Sequence, residues 1–256
     1  MDSNKIRNLY QQGYSINDIV KETSIKKYWI KKAIQGIERT VADTNSLKAR
    51  LASRDLSEPE KQCILGTLLG DGCLKRSYNG RSHHLSIIHG DKQKDYIKFK
   101  HGVLHGSHLK SEICLSGYCP GSLQWNLKFW NTKFMDYVSS VSQRDEQKCV
   151  SNEWLQALTL EGLSYWFMDD GHSSYANNHG RSVCVAISTM CFNYEENCLI
   201  AGRLNEYEVD AKVVKASRGT KYQISMSVNG GQKFLRLIQP FVERVPSMVY
   251  KLKFKN

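Results

Sequence analysis

Two aspartates hold the same unusual place in this chain. Asp71 closes the run Ile64-Leu65-Gly66-Thr67-Leu68-Leu69-Gly70-Asp71-Gly72, and Asp170 closes Leu163-Ser164-Tyr165-Trp166-Phe167-Met168-Asp169-Asp170-Gly171. Both runs are apolar almost all round, the pattern of a helix buried in a core, and both end on Asp-Gly. The negative end of a helix dipole disfavours a carboxylate unless a cation is close. A divalent metal would resolve that conflict, so Asp71 and Asp170 are the candidate catalytic and metal-holding pair. Asp169 is read as a supporting group at the helix end, because Asp71 aligns with Asp170 and Gly70 with Asp169.

The elements that must position this pair are well marked. Ser57 and Glu60 form a capping box, Pro59 suits the first turn, and Glu58 favours the positive end of the dipole. Gly66 and Gly70 lie one turn apart, so a second helix can approach closely there. A strand is expected over 83–89, then a helix capped by Asp91 and running through Tyr96, Phe99 and Val103. Residues 122–130 alternate, with Leu123, Trp125, Leu127 and Phe129 on one face and Gln124, Asn126 and Lys128 on the other. The series recurs. Thr159 caps the second organising helix, 182–188 is a strand, Asn193 caps a helix through Leu199 and Leu204, and 211–215 is a strand. Residues 221–228 then alternate, with Tyr222, Ile224, Met226 and Val228 inward and Lys221, Gln223, Ser225 and Ser227 outward. The aspartates are 99 residues apart, which implies an α+β fold of two αββαββα halves related by a pseudo-twofold axis.

Residues 1–40 follow a different pattern. Ile6, Leu9 and Tyr10 share a helical face, Gly13 breaks it, and Ser15 caps a helix carrying Ile16, Ile19 and Val20. After a turn at 23–25, a third helix turns Ile30 and Ala33-Ile34 inward and leaves Lys26, Lys27, Tyr28, Lys31 and Lys32 outside. This layout resembles a small all-α helix-turn-helix domain, which implies a recognition helix at about 26–35 lying in a DNA major groove. A polar linker over 41–56 leads to a first half at 57–148 and a second at 149–256.

The net charge of +11 on 256 residues favours a polyanionic partner, nucleic acid first. No apolar run is long enough to span a bilayer and no segment has a continuous cationic face, so a membrane role is not expected. The eight cysteines include no C-x-x-C pair and read as reduced thiols of a cytoplasmic protein. His101, His105 and His108 read as surface or groove histidines, since no acidic or thiolate ligand accompanies them at metal-binding spacing.

"ILGTLLGDG" and "LSYWFMDDG" resemble the two signature helices of a single-chain LAGLIDADG homing endonuclease. The resemblance covers about 57–256 and extends to "VPSMVYKL" at 245–252. It implies a monomer whose two halves form a saddle over double-stranded DNA at a long, partly asymmetric site. It also implies Mg²⁺-dependent hydrolysis of one phosphodiester on each strand, with two or more divalent ions shared between Asp71 and Asp170. Lys251 and Lys148 fall at the positions of the lysines that organise reactive waters, although Ser151 stands where relatives often have proline. Gln124, Asn126, Lys128, Lys221 and Gln223 would meet base edges and phosphates, and Arg76, Arg81, Lys215 and Arg218 would contact the backbone from loops. His89 and Met190 stand where relatives frequently have glutamine, and Met190 cannot supply that residue's hydrogen bonds. Tyr165 replaces the central small residue of the second helix, so packing there must differ. The alternatives are an RNA intron maturase on the same scaffold, with intron RNA as its partner, and a non-cleaving DNA-binding regulator. Because the chain opens directly on the helix-turn-helix pattern, an origin within a protein-splicing element is not expected.

Overall fold

The computed structural model describes residues 3–11, 14, 16–37, 53–76, 82–115, 119–175, 182–216 and 219–254. Gly13, Ser15, Arg81, Arg218 and most of the polar linker lie outside the described residues. The chain divides into two compact units, Met1–Asp55 and Leu56–Asn256.

Among its described residues the first unit holds three short helices, α1 (Ser3–Gln11), α2 (Ile16–Thr23) and α3 (Lys27–Ala33). Ile6, Ile19, Ile30, Ala33 and Ile34 form its buried centre, with Leu9, Tyr10 and Val20 packed against them. Arg7 Nε donates to the Ala33 carbonyl at 2.9 Å and ties α1 to α3. Ser24 turns the chain between α2 and α3 with φ of 56°. The inward residues are those that helical periodicity selects, and Lys26 sits at the N-cap of α3.

The second unit repeats one series twice. The first half comprises α4 (Glu58–Leu69), β1 (Gly72–Arg76), β2 (His83–Gly90), α5 (Lys94–Val103), β3 (His108–Ile113), β4 (Leu123–Phe129) and α6 (Thr132–Ser142). A two-residue hairpin pair, β5 (Gln143–Arg144) and β6 (Gln147–Lys148), and the short helix α7 (Asn152–Ala157) lead to the second half. That half comprises α8 (Leu160–Asp170), β7 (Gly171–Tyr175), β8 (Val183–Ile187), α9 (Tyr194–Asn205), β9 (Ala211–Lys215), β10 (Tyr222–Met226) and α10 (Val228–Val242), closed by a 3₁₀ segment, Pro246–Lys251. The two antiparallel sheets have matching strand orders, β1-β2-β4-β3 and β7-β8-β10-β9. Among the described residues no helix is long and apolar enough to cross a membrane.

Alternation puts one face of each sheet into the core. Leu85, Ile87, Leu127 and Phe129 are buried in the first sheet, and Val183, Val185, Ile187 and Ile224 in the second. Registers align Ile87 with Gly72 and Leu127, and Ile187 with Gly171 and Ile224. The residues between them, including Ser86, Asn126 and Lys128 in one sheet and Ala186, Gln223 and Ser225 in the other, share the opposite face.

Two expected caps and one strand end differ. Asp91 opens a 3₁₀ turn, Asp91–Gln93, rather than capping α5, because its carboxylate accepts the Trp125 indole N–H at 2.9 Å. Thr159 occupies the N-cap of α8 without a side-chain bond, while its own N–H donates to Gln62 Oε1 at 2.9 Å, across the helix pair. The last alternating strand stops at Met226, because the Ser227 hydroxyl accepts from the Gly230 N–H at 3.1 Å and starts α10 with Val228. The other marked starts follow the expectation. Glu60 reaches back to the Ser57 N–H at 3.0 Å, and Asn193 and Glu196 form a reciprocal box.

Candidate active site

The site is built on the contact between α4 and α8. Both helices are buried along nearly their whole length. A Cβ placed on Gly66 would lie 2.0 Å from the Gly162 carbonyl oxygen, and one on Gly70 would lie 2.5 Å from Asp169 Cβ. The backbones therefore touch at Gly66 and Gly162, and one turn on the Gly70 backbone meets the Asp169 side chain. The small residue facing Gly66 is Gly162 rather than residue 165. Tyr165 can thus occupy the centre of α8, where its ring lies 6.4 Å from Phe99 and its carbonyl accepts the Tyr96 hydroxyl at 3.2 Å.

This crossing brings the two Asp-Gly ends together. Asp71 follows α4 and leads into β1; Asp170 ends α8, and Gly171 opens β7. The Asp170 carboxyl is pushed up to about 7, first by burial and then by the charges of Asp71 and Asp169, while Lys148 and Lys251 pull it down. Asp71 is also raised, by burial and then by Asp169, against the opposing pull of His89, Lys100 and Lys251.

The two lysines occupy equivalent places. Lys148 Nζ donates to the Gly70 carbonyl at 3.0 Å. Lys251 Nζ donates to the carbonyls of Met168 at 2.5 Å, Asp169 at 3.0 Å and Phe167 at 3.4 Å. Each cation caps the C-terminal carbonyls of its own half's central helix, where the dipole favours positive charge. Burial lowers the Lys251 ammonium, and Asp169, Asp71 and Asp170 oppose that shift. Ser151 caps α7 by accepting from the Trp154 N–H at 3.1 Å.

His89 lies on the core-facing side of β2. Its Nδ1 is 3.6 Å from Asp71 Oδ2 and its Nε2 is 4.0 Å from Asp169 Oδ1. Burial, and then Lys100, push its pKa down to about 3, against Asp71 and a hydrogen bond with Gln93, so the ring is neutral. Asp71, His89 and Asp169 offer ligand atoms within 4.8 Å of one another, a spacing that could hold a metal ion, with both Asp169 oxygens also accepting from Lys100. In the other half the β8 register puts Thr189, not Met190, at the place of His89; Met190 is exposed.

The outward faces carry the expected polar groups. Gln124, Asn126 and Lys128 stand on β4 and Gln223 on β10, with Lys221 just before that strand. Gln124 and Asn126 both donate to Glu112 Oε1, at 3.4 and 3.3 Å. Alternation in "HLKSEI" marks Glu112, with His108 and Lys110, as part of this face, and sequence reasoning missed it by treating His108 only as a histidine. Arg76 and Lys215 end strands rather than lying in loops, because β1 and β9 pair through to those residues. Both fall on the parity of the core-facing side, and Arg76 pairs with Glu146 at 2.9 Å. On α3, Tyr28 and Trp29 are exposed, and Lys32 Nζ lies 5.6 Å from the Trp29 ring centre. Lys100 was missed as well; the signal that separates it from Lys94 and Lys98 is its spacing of four from Tyr96 and three from Ile97, which puts it on the buried face of α5.

A model described as the LAGLIDADG DNA endonuclease family matches residues 61–234. The chain is 28% identical over 217 residues to RecA of Mycobacterium gastri, covering 78% of this chain and 48% of that protein. It thus spans about half the length of such relatives. It is also 24% identical over 213 residues to probable intron-encoded endonuclease 1 of Wickerhamomyces canadensis (78% of this chain, 86% of that one). To DNA endonuclease I-ChuI of Chlamydomonas applanata it is 25% identical over 223 residues (78% and 97%). Its fold matches the homing endonuclease I-WcaI bound to its DNA recognition sequence, with a TM-score of 0.70, 20% identity, and coverage of 88% of this chain and 99% of that one.

Proposed function

The chain belongs to the LAGLIDADG DNA endonuclease family, and on that footing we propose that it is a sequence-specific homing endonuclease that hydrolyses one phosphodiester on each strand of duplex DNA. The observation that carries this reading is the pairing of Asp71 and Asp170 at the ends of two helices in backbone contact, each helix end capped by a lysine of its own half. Two carboxylates raised by burial, Asp170 further by Asp71 and both by Asp169, form a donor set suited to divalent cations, with Mg²⁺ the expected ion. Bound there, a divalent ion supplies an activated water and offsets charge on the phosphate. Lys148 and Lys251 keep positive charge beside the reacting phosphates. Gln124, Asn126, Lys128, Lys221 and Gln223 face base edges and phosphates in the major groove, and the chain carries both halves, so one copy suffices. The first unit adds contacts through Lys26, Lys27, Tyr28, Lys31 and Lys32.

A plasmid library with randomised inserts, incubated with the protein and Mg²⁺, is expected to yield linear DNA with short 3′ overhangs from a subset of sequences. Asp71→Asn and Asp170→Asn should each abolish double-strand cutting. Equal cutting by the doubly substituted protein would refute the assignment.

A further inference from the structure

Lys100, on α5, has no exposed surface. Its Nζ donates to both oxygens of Asp169, at 2.8 and 3.1 Å. It also lies 3.5 Å from His89 Nε2 and 4.2 Å from the centre of the Tyr96 ring. Asp169 belongs to the second half and the other three residues to the first, so the pair crosses the pseudo-twofold axis. Its mirror image is missing. Gly70 stands at the position of Asp169. The 100-residue spacing that relates Ile87 to Ile187, and the first residues of α5 and α9, puts Ile200 at the position of Lys100 and Thr189 at that of His89.

One diagonal therefore holds a buried ammonium and carboxylate, and the other a glycine and an isoleucine. Both charges of a buried pair are taken out of water, and an apolar replacement is often equally stable. The second diagonal is such a replacement, already folded within the same unit, so stability alone does not account for the ion pair.

Its donor chemistry does. An ammonium has N–H groups and no lone pair, so the ring nitrogen facing it, Nε2, must be the acceptor. A neutral imidazole then carries its proton on Nδ1, and Nδ1 faces Asp71 Oδ2 at 3.6 Å. That separation lies just beyond hydrogen-bond length, yet it is short enough for the N–H dipole to orient the carboxylate. Asp170 has no counterpart, because Thr189 donates its hydroxyl to Asn197. We propose that Lys100, anchored by Asp169, is a positioning residue that fixes the His89 tautomer and thereby the orientation of Asp71, so that one of the two strand cuts is pre-ordered and faster.

The cleavage part of this inference rests on the endonuclease reading; the tautomer does not. Lys100→Met alone leaves Asp169 buried and unpaired and is expected to unfold the protein. Lys100→Ile combined with Asp169→Gly rebuilds the other diagonal and is expected to fold. In ¹⁵N-histidine spectra of the full chain, with His89→Gln identifying the signal, native His89 should show a protonated Nδ1 and a bare Nε2, and the double variant a mixture of tautomers. On a duplex labelled on both strands, the native protein should cut one strand first. The double variant should slow that cut about tenfold, in the range a misplaced catalytic group costs, and leave the other within about twofold. A native Nε2-protonated ring, an unchanged tautomer in the variant, equal slowing of both strands, or a double variant that does not fold would each overturn the proposal. A native protein that cuts no DNA would instead refute the endonuclease reading, while the spectra still decide the role of Lys100.

Discussion

Gly66→Ala tests the helix crossing from which everything at the site follows. A Cβ at residue 66 would stand 2.0 Å from the Gly162 carbonyl oxygen, 2.8 Å from its carbon and 3.0 Å from Tyr165 Cβ. The first two are backbone atoms and cannot rotate away, so α4 and α8 must separate by about 1 Å before the contact is tolerable. Overpacking of a closed core costs about 1–3 kcal/mol. Helix propensity acts the other way and returns about 1 kcal/mol when alanine replaces glycine. With two backbone atoms in collision the upper part of the packing cost applies, and the net loss should be about 2 kcal/mol. Gly102→Ala and Gly202→Ala are the controls. They sit at matching places on α5 and α9, and an added Cβ at either would meet nothing within 4 Å. Only propensity acts there, and each should gain about 0.5–1 kcal/mol. Urea unfolding of the three proteins separates the terms, with the midpoint falling for Gly66→Ala and rising for the controls at unchanged m. Asp71 lies five residues beyond Gly66, so the shift should also cut the cleavage rate by about 100-fold. A Gly66→Ala midpoint at or above that of Gly102→Ala would refute the backbone contact and the site derived from it.

Lys251→Met should destabilise the protein more than Lys148→Met, since the first removes three carbonyl contacts and the second one; a charge-assisted bond contributes about 1.5–3 kcal/mol, and denaturant midpoints in EDTA would show equality or the reverse order if the geometry is wrong. The Asp170 carboxyl, raised from 3.8 to about 7, disfavours ionisation in the folded state. Its contribution is therefore intact at low pH and is lost as pH rises from about 4 to about 7. In EDTA the melting temperature of the native protein should fall relative to Asp170→Asn across that window, and a flat difference would contradict the buried site. Deleting residues 1–55 should leave Leu56–Asn256 folded on its own core and still able to cut, with weaker DNA affinity. Loss of cutting at saturating protein would argue instead for a regulator that depends on its helix-turn-helix unit.

The features that repeat were readable from the chain, and the feature that breaks the repeat was not. Apolar runs ending on Asp-Gly, alternation at 123–129 and 222–226, and Lys251 in the segment that Pro246 opens all depend on local pattern, and local pattern survives duplication. Lys100 sits in "KDYIKFKHGV" with Lys94 and Lys98 close by; helical spacing puts it on the face of Tyr96 and Ile97, but nothing local shows what balances a buried ammonium there. Its anchor, Asp169, is 69 residues away in the other half. The alignment of the halves added its own error. The spacing of the aspartates is 99 and that of the sheet centres is 100, whereas matching His89 with Met190, each just after its half's first strand, needs 101. Backbone pairing matches it with Thr189. Tyr165 gave the same difficulty in reverse, because the small residue needed against Gly66 is supplied one turn earlier by Gly162. Duplication thus reveals what the halves share, two carboxylates and two lysines, while the groups that could make them act unequally lie where they differ. Those differences gain meaning only from distances across the axis: an isoleucine opposite a glycine needs no partner, whereas an enclosed lysine requires one, and here it draws in the ring beside Asp71.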